Sequence, residues 1–371
     1  MPLIANKGTP DADIWFVVER PFGNDTNKGY LYSSGLGYMW DKLVQEAGVG
    51  RYFVTCVFPD TDNYFAARSI IGEAQHWQPR IIIPLDTAGR HFCPELLPSR
   101  RTKTYNEEKD SEIFKYAGSI LTCDKLNFPH YIIPTLAPDL IARQYKLKEQ
   151  VQLDIAKAVA ELEYFKQNGI LQPLPQRKLQ IDFESFDEQL HILDSFCDYK
   201  YISNDIETIY PRKGSAKNPS QFYGKHPGYP ITVGLAPSKD FGISIDLFRE
   251  KPSENIELWR KLDKLFKNTI QIGQNFFNFD LNFYEMLGFR FRVSEIQDTM
   301  IRHHVLWPEL PHKLQHLTRQ YTREAYYKDE GHGWSMKDMR KLKTYNCKDV
   351  CITYEVFEEQ EKEFDERPHL R

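Results

Sequence analysis

The sequence has no long apolar run, no paired cysteine motif and no large excess of charge of one sign. Because no apolar stretch approaches 18 residues and no N-terminal signal is recognisable, we expect a soluble cytoplasmic protein without a membrane partner. The six cysteines form no CxxC pair, which argues against a zinc or iron–sulfur site and is typical of a reducing compartment. The net charge of −4 argues against bulk electrostatic capture of nucleic acid but permits a local basic groove.

The chain has the length and the apolar content of a two-domain protein. Its 371 residues suffice for two domains of roughly 100–200 residues each. Hydrophobic residues make up 41% of the chain, and the 24 Phe, 21 Tyr and 6 Trp suit either large cores or stacking surfaces.

The first half alternates short apolar strands with helical stretches. Its predicted strands cover residues 13–19, 51–58, 80–85 and 130–135, with helices at 37–48 and 86–92. This order predicts a parallel α/β sheet. A helical pattern from Pro138 to Asn168 closes the half, and the Pro- and Gly-containing segment 169–178 is the best linker. We therefore predict a first domain over residues 1–168.

The second half, residues 179–371, has strands in succession and then mostly helices, which predicts a mixed sheet flanked by helices. Residues 210–230 read as a long loop rich in Gly, Pro, basic and aromatic residues. The loop offers a candidate strip for a single nucleic-acid strand, although a solvated loop explains it equally well. The residues of this strip are Arg212, Lys213 and Lys217 with Tyr210 and Tyr223.

Two acids lie one residue apart in the apolar strand "YISNDIETIY". Strand side chains alternate between faces, so Asp205 and Glu207 project from one side while Ile206 serves packing on the other. Two carboxylates this close repel each other unless a cation lies between them. For an isolated pair, surface acids on an edge strand are the more common explanation.

Further acids strengthen the case for a cation. Asp280 falls near the first turn of a helix that follows a strand, and Tyr345 and Asp349 share one helix face at a spacing of four. Four carboxylates around one cavity require metal, and Mg²⁺ prefers oxygen ligands. Two such ions roughly 3.5–4 Å apart clamp the attacking and leaving oxygens of a phosphodiester.

This set, in this order, resembles the DEDDy 3′–5′ exonuclease family, most of all the proofreading domain of phage-type family A DNA polymerases. The resemblance covers residues 178–365 and includes an Asp-Thr-Met helix within residues 297–322. It implies an RNase H-like fold, with Asp205, Glu207 and Asp349 as metal ligands and Asp280 as the remaining acid, acting through water. Tyr345 would position the nucleophilic water.

Other residues are weaker candidates. Asn275 and Phe279 resemble contacts to the substrate end, although each could merely cap or pack its helix. Asp298 is expected to be a helix N-cap. The remaining candidates for substrate contact are Ile206, Thr208, Arg212 and Lys213.

The first half resembles uracil-DNA glycosylases of the bacterial and archaeal iron–sulfur type. The residues that keep that family's spacing are Glu19, Pro21, Asp25, Gly29, Tyr32 and Gly37. By this resemblance, Asp25 falls at the water-activating acid and Tyr32 at the ring that stacks on uracil.

Departures from that family indicate a degenerate pocket. Val18 and Phe22 replace glycines that let the backbone approach a base, and Ala137 stands where the family has a histidine. The cysteines of the cluster are missing. Without the histidine, the leaving uracil anion loses an electrostatic term, so we expect a glycosylase-like fold without the activity.

Taken together, the resemblances imply a 3′–5′ DNA exonuclease with two divalent ions, Mg²⁺ or Mn²⁺, proofreading for a polymerase in a bacterial or phage-infected cell. Its partners would be single-stranded or frayed 3′ ends and a DNA polymerase. The 22 residues after Asp349 contain no polymerase palm, so the synthetic domain would be absent or encoded separately. Two alternatives stay open: a ribonuclease D-like exoribonuclease and a non-enzymatic DNA-binding subunit.

Overall fold

A computed structural model describes most of the chain. The described residues are 5–21, 25, 29–33, 35–59, 68–93, 115–209, 228–291, 295–335 and 338–370. The chain divides into two compact units: unit 1 is Met1–Leu174 with Arg323–Tyr326, and unit 2 is Pro175–Thr322 with Tyr327–Arg371. Among the described helices, none combines the length and the apolar character that a membrane crossing needs.

Unit 1 is built on a five-stranded sheet in the order β1-β3-β2-β4-β5. Its strands are β1 (Lys7–Gly8), β2 (Ile14–Val18), β3 (Tyr52–Cys56), β4 (Ile81–Pro84) and β5 (Tyr131–Ile132). Strands β2 to β5 pair in parallel, as the alternation of strands and helices predicts. The prediction of a purely parallel sheet is wrong at one edge, because β1 pairs antiparallel with β3.

The missed edge strand has a local cause. It is two residues long, too short for a periodic pattern, and it places Gly8 at a φ of +81° against the backbone of Tyr52. A Cβ at this position would lie 2.2 Å from the Tyr52 carbonyl oxygen. Only glycine allows this approach.

The helices in the described part of unit 1 differ from the sequence pattern in number and in continuity. They are α1 (Gly35–Glu46), α2 (Ile70–Trp77), α3 (Pro138–Arg143) and α4 (Lys148–Asn168). The sequence did not indicate α2. The expected continuous helix over 138–168 is interrupted at Gln144, whose ψ of 78° is not helical. The predicted helix at 86–92 is a 3₁₀ turn, Asp86–His91.

All five residues of β2 are buried, and their side chains alternate between the two faces of the sheet, so β2 contributes to a core on each face. Phe16 faces a cluster that includes Trp40 of α1, whereas Trp15 faces a second cluster that includes Phe53 of β3. A strand buried on both faces is what a central position in a parallel sheet requires.

Unit 2 is built on a six-stranded mixed sheet in the order β11-β10-β7-β8-β9-β6. The strands are β6 (Lys178–Gln180), β7 (Tyr201–Ile209), β8 (Tyr229–Ser238), β9 (Phe241–Asp246), β10 (Ile270–Gly273) and β11 (Gln297–Asp298). Strands β7, β8 and β9 form an antiparallel meander, and β10 and β11 add in parallel beside β7. Three antiparallel strands with parallel strands at both edges make a mixed sheet accompanied by helices, so the predicted mixed α/β class is confirmed.

Among the described residues, six α-helices accompany this sheet. They are α5 (Phe186–Phe196), α6 (Pro252–Asn268), α7 (Asp280–Met286), α8 (Thr299–Leu306), α9 (Leu314–Tyr321) and α10 (Arg340–Glu366). On α6, Leu258, Leu262 and Leu265 are fully buried at helical spacing. The long helix α10 packs against β7, β8 and β9, so its polar inner positions lie beside the strand that carries Asp205 and Glu207.

Candidate acidic metal site

The central strand β7 presents Asp205 and Glu207 on one face, as its alternation predicts. Ile206, between them, points to the other face and is 2% exposed in the unit 2 core. Directly after Glu207 the register of the pairing with β8 shifts. Thr208 faces Pro230, and the residue of β8 that a regular register would place opposite Thr208 is skipped. Such irregularities re-aim side chains at the end of a strand.

Helix α10 brings a third carboxylate to these two. One oxygen each of Asp205, Glu207 and Asp349 can be chosen so that all three lie within 4.8 Å of one another. Carboxylate oxygens are the ligands that hard divalent cations prefer, and this spacing lets one ion touch several of them. The donor set therefore fits Mg²⁺ or Mn²⁺.

The electrostatics of the cluster also favour a cation. Burial, and after it the charge of Asp349, raises the pKa of Asp205 well above its ordinary value. Burial, Asp205 and Asp349 do the same to the pKa of Glu207. Among the described residues none donates a hydrogen bond to the Glu207 carboxylate, whereas the Glu207 backbone pairs with Thr232 of β8. The three acids thus repel one another, and protons or a cation must offset their charge.

Asp280 lies beside this cluster rather than within the set of three. It is the first residue of α7, is 1% exposed, and its Oδ1 accepts the backbone N–H of Ile206 at 3.0 Å. Burial and the nearby Asp205 raise its pKa. Asp280 thereby anchors the peptide between the two acids of β7.

Tyr345 lies one helical turn before Asp349, as the spacing predicts. Its hydroxyl oxygen accepts a hydrogen bond from Lys328 Nζ at 3.0 Å. Burial raises the pKa of the phenol, and the charges of Asp349, Asp205 and Glu207 raise it further. The hydroxyl is therefore neutral and can orient a water molecule, but it cannot act as a base at physiological pH.

Sequence reasoning missed three polar neighbours of the acids. Tyr327 donates its hydroxyl to Asp349 Oδ1 at 2.5 Å, and Lys328 donates to both oxygens of Asp349 at 2.8 Å. Asn346 donates its amide to Asp205 Oδ2 at 2.9 Å. The spacing of three between Asn346 and Asp349 was an available signal, whereas Tyr327 and Lys328 precede α10 and follow no periodic pattern.

The amide of Asn346 is itself held in place. It is fully buried, and its Oδ1 accepts the hydroxyl of Ser244 on β9 at 2.8 Å. Gly234 on β8 gives it room, since a Cβ there would lie 2.7 Å from Asn346 Oδ1. The neighbouring strands therefore orient the donor that holds Asp205.

The weaker candidates of unit 2 have structural contacts. Asp298 accepts from the backbone of Met300 at 2.9 Å, which confirms it as the N-cap of α8, and from the backbone of Asn275 at 3.0 Å. Phe279 packs its ring 5.1 Å from that of Phe283 at the margin of the core.

The predicted basic strip, including Arg212 and Lys213, lies wholly outside the described residues, and only residues 228–230 of its loop are described. There, Tyr229 and Pro230 already belong to β8.

The glycosylase-like residues of unit 1 are engaged within the unit. Asp25 is fully buried, and its Oδ1 accepts both the backbone N–H and the hydroxyl of Ser33 at 2.9 Å. The ring of Tyr32 is buried and stacks on Trp40 at 5.8 Å. Ala137 is buried at the start of α3, and Phe22 lies outside the described residues.

Comparison with solved structures finds distant similarity. No family profile matches the sequence, and no curated protein matches it. The catalytic core of RRP6 from Trypanosoma brucei is similar over 54% of this chain and 52% of its own length, with 13% identity and a TM-score of 0.41. The chain thus spans about half of that structure.

Two further structures are similar at the same level. The Aedes aegypti Nibbler EXO domain matches over 53% of this chain and 93% of its own length, with 17% identity and a TM-score of 0.39. The POL domain of Pol1 from M. smegmatis matches over 51% and 28%, with 11% identity and a TM-score of 0.36. Similarity this distant decides no function, so the function has to be inferred from the acid cluster.

Proposed function

We propose that this protein is a divalent-metal-dependent 3′–5′ exonuclease that removes terminal nucleotides from DNA and proofreads for a DNA polymerase. The observation that carries the proposal is the cluster of Asp205, Glu207 and Asp349, whose oxygens lie within 4.8 Å of one another. Asp205 and Glu207 are half-buried and Asp349 is buried, so their mutual repulsion costs stability, and a bound cation would offset that cost.

The residues present fit two Mg²⁺ or Mn²⁺ ions. Asp205, Glu207 and Asp349 would be the direct ligands, with Asp280 behind them as the remaining acid. When bound, the ions would stabilise charge on the attacking and leaving oxygens of a phosphodiester. Carboxylate oxygens without any His or Cys ligand suit these hard ions better than zinc.

The bond changes are those of hydrolysis. A water oxygen forms a bond to the terminal phosphorus, and the P–O3′ bond breaks with its electron pair on the 3′ oxygen. Of the two hydrogens of the water, one ends on that oxygen and the other on the new phosphate monoester, which releases it near neutral pH. The products are a nucleoside 5′-monophosphate and a strand shortened by one.

The chain's own groups prepare this step. Tyr345, kept neutral by burial, would orient the attacking water from the helix turn before Asp349. Asn346 fixes the Asp205 carboxylate through its 2.9 Å hydrogen bond. Preorganisation of this kind lowers the barrier because little has to move when charge develops.

Unit 1 would be a glycosylase-like domain without glycosylase activity. Asp25 already accepts two hydrogen bonds from Ser33, and Tyr32 already stacks on Trp40. The alanine at position 137 offers no donor to a leaving uracil anion. Its surface would instead guide a strand or bind the polymerase.

A 5′-labelled oligonucleotide ladder tests the proposal. The full chain is incubated with Mg²⁺, Mn²⁺ or EDTA and with single-stranded DNA, single-stranded RNA, and duplexes ending in a matched or mismatched 3′ pair. We expect stepwise shortening from the 3′ end with either metal and none with EDTA. Mismatched ends should be trimmed about tenfold faster, because unstacking a paired end costs about 1–2 kcal/mol.

The arms separate the alternatives. Faster digestion of RNA than DNA would replace DNA with RNA as the substrate. Binding of DNA without shortening under any metal would leave a non-enzymatic DNA-binding subunit and end the exonuclease proposal.

A further inference from the structure

Lys328 places an ammonium group inside the acid cluster. It begins the 3₁₀ turn Lys328–Gly331 before α10. Its Nζ donates to both oxygens of Asp349 at 2.8 Å and to the hydroxyl oxygen of Tyr345 at 3.0 Å. The ring centroids of Tyr327 and Tyr345 each lie 5.0 Å from this nitrogen. Three hydrogen bonds and two rings thus hold one cation beside a predicted metal ligand.

Simple neutralisation of Asp349 does not account for this geometry. A structural counter-ion needs only its carboxylate, whereas Lys328 also contacts the hydroxyl that we assign to the attacking water. Its side chain is 19% exposed, so the pair is not sealed from solvent. The ammonium also acts on the other acids, because its charge opposes the upward shift of the pKa of Asp205 and of Glu207.

The same contacts create a competition. Both oxygens of Asp349 are engaged by Lys328, so an ion that uses Asp349 as a ligand competes with the ammonium for this carboxylate. Two cations on one carboxylate repel each other. A lysine side chain has a flexible four-carbon stem, which lets its ammonium withdraw from Asp349 while remaining near Tyr345.

We propose that Lys328 is a further catalytic residue, which holds Asp349 before metal binds and, once displaced, donates to a non-bridging oxygen of the scissile phosphate beside Tyr345. This inference rests on the proposed nuclease function and adds a residue to it. The ammonium keeps its proton throughout, so the bond changes of hydrolysis stay as described. Its contribution would be the stabilisation of charge that grows on the phosphoryl oxygens.

Lys328→Met removes the ammonium but keeps an unbranched side chain of similar length, and Lys348→Met is the matched control. Lys348 is 17% exposed and lies 4.9 Å over the same Tyr327 ring, but its ion pair is with Glu330 at 3.2 Å. Both variants are made in the full chain and compared with wild type. Free Mn²⁺ is titrated by electron paramagnetic resonance without DNA, and kcat is measured on a single-stranded oligonucleotide at saturating Mn²⁺.

For Lys328→Met we expect Mn²⁺ affinity to rise about tenfold, since a competing charge at contact distance is gone. We expect kcat to fall by about 10²-fold, the usual effect of losing one electrostatic contact to a transition state. Lys348→Met should change neither quantity by more than about twofold, because its charge pairs outside the cluster.

A second variant protects the test against misfolding. In Lys328→Arg the guanidinium keeps the charge and matches a carboxylate with two parallel hydrogen bonds, so it is harder to displace. Mn²⁺ should then bind more weakly than to wild type, opposite in sign to the methionine variant. If circular dichroism shows that Lys328→Met is unfolded, the direction of the change in Mn²⁺ affinity in Lys328→Arg decides whether the assignment of Lys328 holds.

Three results would overturn the assignment: unchanged kcat in Lys328→Met, weaker Mn²⁺ binding in Lys328→Met, or equal or tighter Mn²⁺ binding in Lys328→Arg. Failure of the underlying nuclease proposal looks different. In that case the wild-type protein shortens no oligonucleotide under any metal, whatever residue occupies position 328.

Discussion

The buried acids of unit 1 and the acid cluster of unit 2 differ in what surrounds them. In unit 1, Asp25 accepts two hydrogen bonds from Ser33, and Asp154 accepts the hydroxyl of Thr135. Each of these carboxylates has a nearby donor that offsets the cost of its burial. Such acids are explained by the fold alone.

In unit 2, by contrast, Asp205, Glu207 and Asp349 face one another. Folding would be easier with apolar side chains there, because each added negative charge raises the cost of the others. The contrast gives a criterion for judging buried acids. An acid that stands apart from other acids and has its own donors is structural, whereas acids that lie together carry more negative charge than their donors and the single ammonium of Lys328 offset, which indicates a cation site.

The largest effect is expected from removing the acids of unit 2. Asp205→Ala or Glu207→Ala should lower 3′–5′ cleavage by at least about 10³-fold, since several kcal/mol of barrier lowering depend on metal placement. DNA binding, measured by fluorescence anisotropy, should survive. Asp25→Asn in unit 1 is the control and should leave cleavage within about twofold. If the Asp205 and Glu207 double variant cleaved at the wild-type rate, the acids of unit 2 would be no more catalytic than those of unit 1.

Tyr345→Phe should have the next largest effect. Loss of the hydroxyl should lower kcat by about 10- to 100-fold, because the attacking water loses one of its guides. Mn²⁺ affinity should change by less than about threefold, since the hydroxyl is not assigned as a ligand. A kcat unaffected across pH and with both metals would show that the tyrosine is structural.

Metal should stabilise the protein in a pH-dependent way. Since the folded state raises the pKa of Asp205 and Glu207, it binds more protons than the unfolded chain above the ordinary carboxyl pKa of about 4. Stability of the metal-free protein therefore falls as pH rises towards the raised values, and a bound ion offsets this loss.

Saturating Mn²⁺ should raise the melting temperature by about 5 °C at pH 8 and by less at pH 6. Differential scanning fluorimetry measures both, and in Asp205→Ala the increase should largely disappear. An equal increase at the two pH values, or one that survives in the variant, would place the stabilising ion elsewhere.

The smallest expected signal belongs to unit 1. The Asp205→Ala protein should form no abasic sites in a uracil-containing oligonucleotide, since Asp25 and Tyr32 are already engaged and Ala137 lacks a donor. The assay uses the Asp205→Ala protein so that nuclease activity does not destroy the product. Abasic sites that vanish on Asp25→Ala would make the protein bifunctional and show that a satisfied acid can still be catalytic.

Local periodicity predicted the placement of two residue pairs in the candidate site, because the members of each pair are close in sequence. Alternation along β7 puts Asp205 and Glu207 on one face, and the spacing of four on α10 relates Tyr345 to Asp349. What periodicity cannot give is the partner at long range. Lys328 lies 21 residues before Asp349, in a 3₁₀ turn without a repeat, and its side chain reaches the cluster only through the tertiary fold.

The fold was likewise predictable only where a pattern runs over several consecutive residues. Strands with several buried or alternating residues, such as β2 and β7, follow directly from the pattern. The two-residue strands β1 and β11 do not, because pairing with a neighbour rather than their own sequence defines them. The break at Gln144 between α3 and α4 is likewise invisible to a helical pattern that continues on both sides.

The central claim is that Asp205, Glu207 and Asp349 bind divalent ions together. An Mn²⁺ titration of the full chain without DNA, followed by electron paramagnetic resonance of the free ion, tests it most directly. We predict saturable binding of two ions to wild type, a loss of at least about tenfold in affinity in Glu207→Gln, and no change in Asp25→Asn. Absence of saturable binding to wild type, or equal binding by wild type and Glu207→Gln, would contradict the account.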